Sequence, residues 1–126
     1  MTGNANALNW FEIPALDIDR AAKFYETIFS IQMPRMEMGG AMAFFPADME
    51  HGKVGGAVVQ SPMHKPSADG AIIYLNGNPD LEIVLGKIEA AGGKIVMPKT
   101  KITDEIGYMA FFMDTEGNKV ALHSNK

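Results

Sequence analysis

Met42-Ala43-Phe44-Phe45 recurs letter for letter as Met109-Ala110-Phe111-Phe112, 67 residues further along the chain. Each copy is followed by an Asp (Asp48, Asp114), a Gly (Gly52, Gly117) and a Lys-Val pair (Lys53-Val54, Lys119-Val120). Upstream of the first copy, residues 9–13 form a short apolar run that leads through Pro14 into an acidic helix start. Upstream of the second, residues 71–75 lead into Asn78-Pro79-Asp80. Self-similarity at a fixed period marks a duplicated structural unit. We read two copies of one module, about residues 8–60 and 71–124, joined by a connector at 61–70 inside a single domain of residues 1–126.

Working outward from the repeat, residues 9–15 alternate as a strand, with Phe11, Ile13 and Ala15 on one face and Trp10, Glu12 and Pro14 on the other. Asp17 is placed to cap a helix whose first turn holds Asp19. Ala21, Phe24, Tyr25, Ile28 and Phe29 then recur at three- and four-residue spacing, the stripe of a helix lying on a sheet. Three strands are predicted at 32–38, 41–46 and 54–60, separated by Gly39-Gly40 and by residues 47–53. The second module repeats the plan: a strand at 71–75, a helix with Pro79 in its first turn and Gly92-Gly93 at its stop, and strands at 94–97, 108–113 and 119–124. The connector holds Pro62, Pro66, Ser67, Asp69 and Gly70, which is loop composition.

Composition bounds the function. The chain has 126 residues, 47% of them hydrophobic, enough to bury a core without staples. A net charge of -4 with no basic stripe removes the electrostatic footprint of a nucleic-acid groove. The absence of cysteine removes thiolate nucleophiles and sulfur-ligated metal sites. The first residues carry neither the basic nor the apolar region of a secretory signal, and no run approaches the roughly 18 apolar residues of a membrane span, so we expect a cytoplasmic protein with no membrane partner. Gly92-Gly93-Lys94 ends a helix instead of opening one and cannot cradle phosphate there, and no Gly-x-Ser-x-Gly elbow is present.

The passage from Trp10 to Glu26, together with Glu89-Ala90-Ala91-Gly92-Gly93 and Asp114-Thr115-Glu116-Gly117-Asn118, resembles the vicinal oxygen chelate superfamily, which includes glyoxalases, bleomycin-resistance proteins and extradiol dioxygenases. The resemblance covers residues 8–124 and is close to the small proteins related to lactoylglutathione lyase. It implies an α+β fold of two tandem βαβββ modules forming a curved, eight-stranded mixed sheet around a cavity, as a homodimer. It also implies a divalent metal held by His and Glu side chains facing that cavity, where the cation polarises a carbonyl. Carried onto this chain, the four ligand positions fall at Trp10, Gly56, Ala71 and Ala121. Indole, hydrogen and methyl groups donate no lone pair to a cation, so no metal or other cofactor is expected.

Alternation offers a substitute pair. Glu12 lies two residues past Trp10 and His123 two past Ala121, so both should face the cavity, where a carboxylate and an imidazole can act as general base and acid. The plainer alternative is that Glu12 makes an interface salt bridge and His123 is a partly solvated residue, since one carboxylate and one imidazole without a third partner are common in any fold. Trp10, with Phe44 and Phe111, reads as the lining of an apolar pocket that stacks a flat ligand, or as core filling. Tyr108 is a candidate for the cavity rim. His51 and His64 fall in predicted loops and read as solvated. Met33, Met36, Met38, Met42 and Met49 cluster in one stretch, as an adaptable pocket or interface would require.

Three functions follow. The first is a small-molecule-binding protein on the glyoxalase scaffold without the usual metal ligands. The second is a lyase or isomerase like lactoylglutathione lyase, working through Glu12 and His123 or through an unorthodox metal site. The third is a dimeric interaction module.

Overall fold

The computed structural model describes residues 1–126. Its elements are β1 (Trp10–Pro14), α1 (Ile18–Phe29), β2 (Arg35–Glu37), β3 (Ala41–Phe44), a single 3₁₀ turn (Met49–His51), β4 (Gly55–Gln60), β5 (Tyr74–Asn76), α2 (Leu81–Ile88), β6 (Lys94–Thr103), β7 (Gly107–Met113) and β8 (Lys119–Ser124). The eight strands divide between two four-stranded mixed sheets of the same topology, β1-β4-β3-β2 and β5-β8-β7-β6. In the first, Ile13 and Ala43 flank Val58; in the second, Leu75 and Ala110 flank Leu122. The repeated tetrapeptides therefore occupy equivalent places, and the chain is a tandem of βαβββ modules.

Helix α1 forms where its cap says it should. Asp17 is extended and its carboxylate accepts from the Asp19 and Arg20 N–H groups, satisfying two of the donors a helix start leaves orphaned. Ser30, at φ 54, ends it. In α2 the cap is Asp80, which accepts from the Glu82 N–H. Pro79 consequently lies before the helix and not in its first turn, because Asp80 supplies the extended residue that a helix start needs.

One apolar cluster spans both modules. Phe24, Tyr25 and Ile28 of α1 and Leu81, Leu85 and Ile88 of α2 meet Ile13, Val58, Phe112 and Leu122 from the two sheets. Phe24 packs on Phe112 with ring centroids 5.9 Å apart. Each such side chain removed from water contributes about 1.5–3 kcal/mol, so this shared core is what binds the modules together.

Three strands differ from expectation. Strand β2 is confined to Arg35–Glu37 within the predicted 32–38. Strand β5 begins at Tyr74, although the Ile73 carbonyl already accepts from Ala121 N–H; Ala71 and Ile73 line a cleft instead. Strand β6 runs through Pro98 to Thr103, well past the predicted stop at 97. It is the outer strand of its sheet, and a missing N–H is tolerated on an edge.

Candidate functional site

The two faces of the first sheet have different fates. Phe11 and Ile13 turn toward the helices and the main core, while Trp10 and Glu12 turn the other way. Trp10 sits opposite Gly55 in β4, where an added Cβ would lie 3.3 Å from the indole Cζ3, so the glycine leaves the space the ring occupies. Phe44 of β3 meets Trp10 with centroids 6.0 Å apart at 58°, and Met42, Ala57 and Val59 form the floor beneath. Both rings are half-buried, giving an apolar surface whose rings still meet solvent.

A polar chain borders this surface. The Trp10 indole N–H donates to Glu12 Oε2 at 3.2 Å, and His64 Nε2 lies 2.7 Å from Glu12 Oε1. On the far side of the imidazole, Ser61 Oγ is 2.6 Å from Nδ1. The hydrogen bond from His64, partly offset by desolvation and aided by the Trp10 N–H, holds the Glu12 carboxyl below its usual pKa. An ionised carboxylate only accepts, so His64 Nε2 carries the proton; in the neutral ring Nδ1 then accepts from the Ser61 hydroxyl. The order is hydroxyl, imidazole, carboxylate, indole. His64 is thus not a freely solvated loop residue: a turn closed by the bond from His64 N–H to the Ser61 carbonyl folds it back onto β1.

The remaining candidates are dispersed. His123 lies on the same side of β8 as Ala121, but its Nε2 is 2.6 Å from the Ile106 carbonyl, and the hydrogen-bonded imidazole partner of Glu12 is His64. Phe111 pairs with Tyr74 at 6.0 Å on the second sheet, and no ring contact joins it to Trp10 or Phe44. Tyr108, an odd number of residues from Phe111 along β7, points to the opposite face, packs on the main core and carries Lys99 Nζ 4.5 Å from its ring centroid. Of the clustered methionines, Met33 and Met42 are buried and Met36, Met38 and Met49 exposed.

Donor chemistry decides the fit of a metal. Gly56 faces Phe11, whose ring would collide with any Cβ there, so the β4 positions on the side of Trp10 are Gly55, Ala57 and Val59. With Ala121 in β8 these supply no lone pair, and no three His, Asp or Glu side chains converge anywhere in the chain. The residues present do not fit the divalent ion that the scaffold suggests.

An open cleft of about 240 Å³ lies between the modules, walled by Glu12 and Pro14 of β1, Lys65 and Asp69 of the connector, and Lys119 of β8. A second, of about 640 Å³, opens at the C-terminal ends of β1 and β4 and is lined by Leu16, Ile18, Ala41, Ser61, Pro62 and His64, among others.

Tandem βαβββ modules, each a four-stranded mixed sheet carrying one helix, define an α+β scaffold of paired modules. The chain belongs to the Glyoxalase/Bleomycin resistance protein/Dioxygenase superfamily, whose profile matches residues 7–122. It is 30% identical to a glyoxylase-like domain-containing protein of Didymella fabae over 91% of each chain. It is 27% identical to a putative glyoxylase of Mycobacterium tuberculosis, of which it spans 44% of the length while 90% of this chain is matched. Among solved structures it is similar to a glyoxalase/bleomycin resistance protein from Albidiferax ferrireducens (TM-score 0.75, 15% identity, 96% of this chain and 100% of that one). A glyoxalase I mutant from Zea mays also matches (TM-score 0.70, 17% identity, 94% of this chain and 44% of that one). No helix is long and apolar enough to cross a membrane.

Proposed function

We propose that this chain is a small-molecule-binding protein whose ligand is flat and largely apolar and lies on the Trp10 and Phe44 face of the first sheet. The observation that carries this reading is the half-exposed Trp10–Phe44 pair over Gly55, with an exposed, ionised Glu12 at its border. Aromatic faces held apart by a strand register offer stacking area at little entropic cost. The donor set around them does not suit the metal chemistry of related scaffolds.

Trp10 is the only tryptophan, so its emission reports the site directly. Titration with aromatic and peptide-like ligands should give a saturable change, and Phe44→Ala should weaken the tightest ligand about tenfold, as loss of one aromatic contact does. A flat response across chemically diverse ligands, with the protein folded, removes the reading.

One observation favours a second reading, proton-transfer catalysis of the lyase or isomerase type. Glu12 is ionised, within reach of a ligand on Trp10, and backed by an imidazole, as a general base requires. In that case His64, not His123, is the partner, and Glu12→Gln abolishes turnover without loosening ligand binding.

A further inference from the structure

The hydroxyl–imidazole–carboxylate chain ends in a cleft of its own. Ser61 and His64 line the 640 Å³ opening at the end of β4, whose other walls include Ala15, Leu16, Ile18 and Ala41. Leu16 leaves 63% of its surface to solvent there, an apolar wall without a partner in this chain. Gln60 lines the same cleft; its Oε1 is pinned by the Ile18 N–H at 2.9 Å, and its Nε2 donates to nothing else in the protein. Ser61 Oγ accepts from the Met63 N–H at 3.1 Å, which fixes the rotamer and leaves one lone pair available for attack.

We propose that Ser61 is an activated nucleophile, with His64 as its base and Glu12 orienting the imidazole, in a hydrolytic site for small carboxylic esters with a short apolar acyl group. Triads of this kind are recognised by geometry and roles and not by sequence order, so the missing Gly-x-Ser-x-Gly elbow is no obstacle. Ser61 Oγ bonds to the acyl carbon while its proton passes to His64 Nδ1, and the imidazolium is held at Nε2 by Glu12. The Gln60 carboxamide N–H, on the wall of the same cleft, is the donor assigned to the carbonyl oxygen as it becomes an oxyanion. Collapse breaks the ester C–O bond, and the departing alkoxide takes the proton from Nδ1. Water then attacks the acyl-serine with His64 again as base, releasing the acid and restoring the Ser61 hydroxyl. No electrons are transferred, and water is the only co-reactant.

The full chain is incubated with a fluorophosphonate probe and digested for peptide mass analysis, and turnover of p-nitrophenyl acetate and butyrate is followed in parallel. We expect one probe per chain, on Ser61. Turnover should fall about a hundredfold or more in Ser61→Ala and His64→Gln, and at least about tenfold in Glu12→Gln, with melting temperatures unchanged. Absence of label on Ser61 in the folded protein overturns the proposal, as does full turnover in Ser61→Ala. A second variant exploits the absence of cysteine: Ser61→Cys introduces the only thiol. Alkylation of that thiol by iodoacetamide at pH 7 should outpace that of glutathione and slow when His64→Gln is added; equal rates in the two backgrounds contradict activation by His64.

Discussion

Arg20 in helix α1 grips Glu116, 96 residues away in the β7–β8 hairpin, through two parallel bonds: Nε to Oε2 at 2.7 Å and Nη2 to Oε1 at 3.0 Å. The same carboxylate accepts from the backbone N–H groups of Leu16 and Asp17, each at 2.8 Å, and from the Thr115 hydroxyl. Glu116 is therefore the point at which the second module closes the β1–α1 junction of the first. Glu116→Ala orphans two backbone donors that face a buried carboxylate, and we expect a loss of about 2–3 kcal/mol, read from urea melts. Glu116→Gln, which keeps one acceptor oxygen, should lose less.

The same residue sets an acid limit. Burial by itself raises the Glu116 pKa, but the bonds from Arg20, Asp17, Thr115 and Leu16 outweigh it and leave the value below 4.5. The folded state thus binds its proton less readily than the unfolded chain. That contribution is complete above the unfolded value near 4.5 and disappears as pH falls through the lower folded value. Glu12 and Asp80, lowered in the same direction, act in the same window. Stability measured from pH 6 down to pH 2 should drop below about pH 4.5, and the drop should be shallower in Glu116→Gln.

Trp10 should report the state of Glu12 without any ligand. Protonating the carboxyl changes what the indole N–H donates to, so emission should shift with a midpoint below 4.5, on the acid side of an ordinary Glu. His64→Gln removes the largest cause of that lowering, and the midpoint should move up toward 4.5. An identical midpoint in wild type and variant means that His64 does not engage Glu12 in solution.

Gly55 should be the most sensitive small residue of the Trp10 and Phe44 face. An added Cβ would meet Ala47 Cβ at 3.2 Å and Trp10 Cζ3 at 3.3 Å, so Gly55→Val must displace the indole from its place opposite Phe44. Whatever ligand is found by tryptophan emission should bind at least about tenfold more weakly to this variant, while the melting temperature moves by only a few degrees, because the crowding falls on the ligand surface and not on the main core.

The repeat, the modules and α1 were legible because their signals are local: a duplicated Met-Ala-Phe-Phe, the Asp17 cap and an apolar stripe at helical spacing. The length of β6 was not, because Pro98 reads as a strand end unless the strand is known to be an edge. The site was legible on β1, where alternation separates Trp10 and Glu12 from Phe11 and Ile13. His64 could not be found that way. It meets Glu12 across 52 residues, and no periodicity encodes a turn that folds a connector back over a strand. Asp114, Glu116 and Asn118 are polar residues of the turn between β7 and β8, yet all three are buried. The available hint was two acidic residues and an amide crowded into one five-residue turn, more polar groups than a two-strand connection needs for itself.

Tyr25 sits at the centre of that buried network and gives the complementary alkaline limit. Its hydroxyl donates to Asp114 Oδ2 at 2.7 Å, its ring is fully buried, and Asp114 also accepts from the Glu116 and Asn118 N–H groups and from the Asn118 side chain. Burial, reinforced by the Asp114 charge and its hydrogen bond, raises the phenol well above its ordinary value of 10.0. The unfolded chain releases this proton near pH 10 and the folded protein does not. The stabilisation is therefore complete below 10 and is lost as pH rises from there toward the folded value. Tyr25→Phe removes one of four donors to Asp114 and leaves the ring packing intact, so near pH 8 we expect a loss of about 1–2 kcal/mol. Above pH 10 the wild type should lose stability while the variant holds level with respect to this group, and the two urea midpoints should converge by pH 11. Midpoints that stay equally far apart from pH 8 to pH 11 would show that the phenol titrates normally and that the hydroxyl is not held in a sealed pair with Asp114.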